Sequence, residues 1–167
     1  MQGANVIIED YVDIDAKSKK IGLTLNGRIV ILPLNFSEAN DTKGLLHDTK
    51  TATLKKLFRN GKIEVDTMER NESFPIVSNN CFDVTFPAIY IPIDILINQP
   101  ELIKTFFDIL SKELKELLKG ITRTKTIRLE IISKTKTGFK KFQYTGPPIE
   151  GTDLNKMVLE VFNEKGS

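Results

Sequence analysis

The stretch from Asn98 to Tyr144 leaves this chain the fewest ways to fold. Leu102, Ile103, Phe106, Phe107, Leu110, Leu114, Leu117 and Leu118 recur at spacings of three and four, which puts them on one broad helical face. Asn98 can cap that helix with its side-chain oxygen, Glu101 can reach back from three residues on, and Pro100 is tolerated in a first turn. With Gly120 as the stop, the expected helix covers residues 99–119, a rod of about 30 Å. A stripe that wide needs a sheet to lie on. The next residues supply one: Thr126 to Ser133 alternates, with Ile127, Leu129 and Ile131 inward and Arg128 and Glu130 outward. Lys134 to Gly138 reads as the turn, and Phe139 to Thr145 as the returning strand, with Phe142 and Tyr144 on one face.

The rest of the chain has to fit around that unit. Val6 to Ile14 alternates like a half-buried strand, and Lys17 to Lys20 reads as a polar turn. Asn26-Gly27 between two β-rich runs predicts a tight hairpin that pairs Leu23 with Val30. Residues 37–50 read as a loop with some helical turns. Thr51 to Arg59 reads as a short helix with Leu54, Leu57 and Phe58 on one face, closed by a left-handed stop at Asn60-Gly61. Lys62 to Asp66 is a short strand, and Glu69 to Asn80 a polar loop. In Cys81 to Ile97, Pro87 and Pro92 break two apolar runs into short or edge strands. Thr152 caps a terminal helix, residues 152–163, whose stripe is Leu154, Met157, Val158, Val161 and Phe162. The fold class is therefore α+β, with antiparallel β-hairpins packed against the long helix and the C-terminal helix. Residues 1–167 suit a single domain, with a soft division between a mainly β part, 1–97, and a helix–hairpin–helix part, 98–167.

Composition narrows the function classes. A chain with 40% hydrophobic and 28% charged residues is globular rather than disordered. Cys81 is the lone cysteine, so no internal disulfide can form. No basic segment precedes an apolar run at Met1 to Tyr11, and Phe86 to Ile97 falls well short of the ~20 residues of a spanning helix. The expectation is a cytoplasmic chain without a membrane partner.

Charge gives the main functional lead. Lys119 to Lys141 holds eight Lys or Arg and one acid, Glu130, which leaves 16 bases and 21 acids elsewhere, a balance of −5. On this reading the hairpin is the one marked concentration of charge. Arg123, Lys125, Lys134, Lys136, Lys140 and Lys141, with Phe139 among them, form the candidate binding surface for an acidic protein face. The same bases could meet phosphates of nucleic acid, the alternative reading. The terminal stripe from Leu154 to Phe162 is the candidate docking helix if it does not simply close the core.

Chemistry-bearing sets are sparse. Glu9, Asp13 and Asp15 share one strand parity and could place carboxylates side by side, which makes a metal-dependent enzyme the second alternative. Glu64 and Asp66 repeat the pattern without a lysine at the spacing a nuclease would want. His47 and Cys81 are single residues without a family-like context, and neither a phosphate loop nor a nucleophile elbow is present. No catalytic residue, metal or cofactor is expected. The sequence points to a small non-enzymatic interaction or assembly subunit, whose partner is another protein or a second copy of the chain.

Overall fold

The computed structural model describes residues 4–68, 76–77, 84–119 and 126–162. The chain runs β1 (Asn5–Asp10), α1 (Ile14–Lys20), β2 (Ile29–Ile31), a 3-10 turn (Thr42–Gly44), β3 (His47–Asp48) and α2 (Lys50–Asn60). Then come β4 (Val65–Asp66), β5 (Ile76–Val77), β6 (Val84–Thr85), β7 (Ile89–Tyr90), α3 (Ile93–Asn98) and α4 (Pro100–Leu117). β8 (Ile127–Thr135), β9 (Gly138–Gly146) and α5 (Gly151–Phe162) complete it. The class is α+β. One mixed sheet has the order β1-β9-β8-β7-β2-β4, with β6 beside β8, while β3 and β5 form a separate parallel pair.

The sheet carries a core on each face. Alternate residues separate them: Ile29, Ile31, Ile89, Ile131, Phe142 and Tyr144 meet α2 to α5, whereas Val30, Tyr90, Ile132 and Phe139 meet Ile14 of α1 and Leu23, Leu32, Phe36 and Leu45. The long stripe serves the first face as its spacing predicts. Ile103, Phe106, Phe107, Leu110 and Leu114 are fully buried, and Phe58 of α2 stacks on Phe106 with ring centroids 4.6 Å apart. Leu117 emerges into solvent at the end of the helix. α5 lies against α4 at close range, because a Cβ on Gly151 would stand 2.8 Å from the Phe107 carbonyl oxygen. Only glycine fits there. α5 starts at Gly151, and Thr152 sits in its first turn rather than capping it.

Several expected elements are replaced. Asn98 does not cap the long helix but ends α3. The residue before proline avoids helical backbone, so Gln99 (φ −126°, ψ 64°) breaks the path and Pro100 starts α4 afresh. β7 is short, as expected, but is not an edge strand: it lies inside the sheet between β8 and β2, flanked by Pro87 and Pro92. β6 and β7 both run parallel to β8, interrupted at Pro87. The Asn26-Gly27 hairpin does not form. Leu23 instead donates its N–H to the Ser18 carbonyl at the end of α1, and β2 pairs parallel with β4 and antiparallel with β7. Long-range pairing outcompetes the local turn signal, although Gly27 keeps the left-handed backbone (φ 70°) that such a turn favours. β8–β9 is thus the hairpin that forms, closing over Lys136 and Thr137.

The expected strand over Val6 to Ile14 ends at Asp10, because Asp13 caps α1 by accepting from the Ala16 N–H at 3.0 Å. Ile14, Ser18 and Ile21 then bury one helical face where a polar turn was expected. The left-handed residue after α2 is Lys62 (φ 64°), not Gly61 (φ −84°). Gly61 answers to space instead, since its Cβ would stand 2.5 Å from Ile109 Cδ1.

Candidate functional site

The basic hairpin is where the sequence directs attention, and the structure places most of its described charge in partnership. β1 runs antiparallel to β9, with Glu9 opposite Lys141 and Asp10 opposite Lys140. Lys141 Nζ lies 2.7 Å from Glu9 Oε1 and 4.0 Å from Glu130 Oε2, and Lys140 pairs with Asp10. Lys134 stands 5.6 Å above the Phe139 ring, a cation–π distance. Phe139 is itself buried against Tyr90, so it is no exposed aromatic of a binding surface. Its strand parity faces the second core, which the charge count cannot reveal. Lys136 and Lys134 remain exposed at the tip. Arg123 and Lys125 lie outside the described residues, as does Cys81. Tyr144 is structural: its buried hydroxyl donates to the Pro147 carbonyl oxygen at 2.6 Å.

The candidate docking helix divides in the same way. Leu154, Val158 and Phe162 are buried in the first core and are not free to dock a partner. Met157 and Val161 are half-buried and look outward. With Val6, Ile8 and Phe142 they line a groove of about 760 Å³ between α5 and β1, which has Asp10, Lys140 and Glu160 on its rim.

β1 itself is the region that sequence reasoning misjudged most. All six residues are exposed, with Val6 at 39%, Ile7 at 41% and Ile8 at 51% of full accessibility. Among the described residues the strand ends the sheet, and α5 only flanks it across the groove. Its hydrogen-bonding edge can be assigned by alternation. Tyr11 donates its N–H to the Phe139 carbonyl oxygen at 3.0 Å. Bonded and non-bonded positions alternate in an antiparallel pair, so Glu9, Ile7 and Asn5 bond to β9. Val6, Ile8 and Asp10 therefore point their backbone N–H and C=O groups away from the sheet. An exposed apolar edge of this kind is a template for another strand.

The carboxylates predicted to form a row do not share a strand. Glu9 is on β1, Asp13 caps α1 and Asp15 lies in its first turn. Glu64 pairs with Arg28, and Asp66 accepts from the Met68 N–H. Among the described residues no three His, Cys, Asp or Glu side chains converge to hold a metal ion, and no helix is long and apolar enough to cross a membrane.

At the opposite end of the sheet lies a feature the hairpin overshadowed. Lys50 to Lys62 holds five Lys or Arg and no acid, a run that counting could have found. Lys55, Arg59 and Lys62 join Arg28 around a pocket of about 430 Å³ beside β4. No protein-family model, curated protein or solved structure matches the chain. Its function has to be read from its own residues.

Proposed function

We propose that this chain is a non-enzymatic assembly subunit that pairs with a second copy of itself, strand to strand, at β1. The observation that carries the reading is the open edge of β1 with Val6, Ile7 and Ile8 in solvent. Proteins usually blunt such an edge with charge. Here the two charges on the strand, Glu9 and Asp10, are already matched by Lys141 and Lys140, so they oppose pairing weakly.

Register favours a like partner. Because Val6, Ile8 and Asp10 carry the open backbone groups, an antiparallel ladder between copies must join even-numbered residues to even-numbered residues. Centring the two-fold axis on Ile7 sets Val6 against Ile8 of the other copy, and Ile7 against its own counterpart. All three apolar side chains then meet apolar partners, while Glu9 faces Asn5 and Asp10 faces Ala4. Centring on Ile8 would instead set Val6 against Asp10 and Ile7 against Glu9. The two-fold axis stands perpendicular to the sheet, so both α5 helices lie on one side of it. Each copy then covers the other's groove, Met157 and Val161 included.

Light scattering after size exclusion tests this reading. The native chain should be dimeric. Ile7→Lys places like charges on the two-fold and should give monomers, as should Ile7→Glu for the same reason. An equimolar mixture of the two variants should restore dimers. A monomeric native chain at high concentration, or no rescue in the mixture, overturns the proposal.

A further inference from the structure

We infer that the pocket between the end of α2 and the start of β4 binds a small phosphate-bearing anion. Four cations from three segments converge on it: Arg28 ahead of β2, Lys55 and Arg59 on α2, and Lys62 in the turn that follows. Ile63 and Val65 line the same pocket, and its volume of about 430 Å³ lies in the range of small-molecule sites. Cations near a helix C-terminus are favoured by the helix dipole, which accounts for Arg59 alone. It does not account for Arg28, which belongs to another element, or for Lys62, whose left-handed backbone (φ 64°) is costly for a residue with a side chain. Lys55 and Arg59, four apart on one helical side, repel each other until an anion sits between them.

Among the described residues Glu64 is the one carboxylate lining the pocket. Its oxygen lies 3.4 Å from Arg28 Nε, with the two side chains 78% and 51% exposed, so water screens the pair and an incoming anion can displace it. Four positive groups against one negative leave a surplus of three charges, more than a single carboxylate ligand would use. Two guanidinium forks match the planar oxygen pairs of a phosphate, and two ammonium groups add point charge. The pocket stands at the far end of the sheet from β1, so it does not depend on the assembly reading.

Calorimetry at low salt tests the inference, with tripolyphosphate as the probe and a short single-stranded DNA oligonucleotide as a parallel arm. Tripolyphosphate should bind one per chain and saturate. The exposed double variant Arg28→Gln/Arg59→Gln should weaken it at least about ten-fold with an unchanged Tm, since each lost charge-assisted contact is worth about that factor. The hairpin variant Lys134→Gln/Lys136→Gln should bind as the native chain does. Three results each overturn the proposal: no saturable binding, equal loss in the hairpin variant, or binding of the oligonucleotide without binding of tripolyphosphate.

Discussion

The two ends of the sheet handle charge in opposite ways. At the β1 end, Lys140 and Lys141 of the hairpin are matched by carboxylates of the neighbouring strand, which leaves Val6, Ile7 and Ile8 as an apolar surface along it. At the β4 end, cations from three segments crowd one pocket, with Glu64 alone among the described residues to balance them. A tally along the chain ranks the hairpin as the more basic region, but folding sets two of its lysines against carboxylates of β1. Local charge density therefore matters less than whether the topology brings an acidic strand alongside. The first end is suited to meeting another backbone, the second to meeting an anion.

This contrast presumes that both ends hang on one rigid core, and the largest expected effect tests that. Leu110 is fully buried among α4, α5 and the sheet, so Leu110→Ala should lower unfolding free energy by about 2–5 kcal/mol in denaturant titrations. A smaller loss would mean that the two ends are less firmly joined than described.

Alkaline titration sharpens the contrast next. Burial, with added repulsion from Glu130, pushes the Tyr11 phenol up to about 12, and burial with Asp15, Asp94 and Asp13 does the same for Tyr90. Unfolded tyrosine ionises at about 10. The folded chain thus keeps protons that the unfolded chain loses between those values, so this stability is complete below about pH 10 and is lost as pH rises to about 12. Phenolate absorbance should rise together with the loss of circular dichroism. An earlier, separate ionisation of Tyr11, which directly follows β1, would show that the β1 end opens on its own.

The smallest effect concerns the matched charges. A double-mutant cycle on Glu9→Gln and Lys141→Met should give a coupling of about 0.5–1 kcal/mol, since the lysine is mostly covered but Glu9 is half exposed. Zero coupling would mean that strand pairing alone holds β1 to β9, and the contrast in charge would then be incidental.

What the sequence disclosed follows from how local each signal is. The α4 stripe, the β8–β9 hairpin and the α5 stripe rest on periodicities within about twenty residues, and all three elements form. The Asn26-Gly27 turn is just as local, yet β2 finds its partners in β4 and β7, which a local reading does not weigh. Val6 to Ile14 reads as a half-buried strand, but Val6 to Ile8 lie at the sheet edge, and strand order is not written in alternation. Phe139 is buried because β9 has cores on both faces, so its outward parity is not outward. The pairing of Lys140 with Asp10 spans 130 residues, which is why a local count cannot see that part of the hairpin's charge is matched. The bases of α2 could have been counted, whereas the arrival of Arg28 beside them could not.

That span also bears on how the chain is made. Asp10 leaves the ribosome 130 residues ahead of Lys140, the residue it will pair with. At a synthesis rate of about 5–20 residues per second, Val6, Ile7 and Ile8 wait roughly 7–26 s with neither edge of their strand satisfied. During that interval both edges are open to pairing with another strand, whether of this chain or of a neighbouring one. The edge proposed to serve assembly is thus, during translation, a segment exposed to premature pairing.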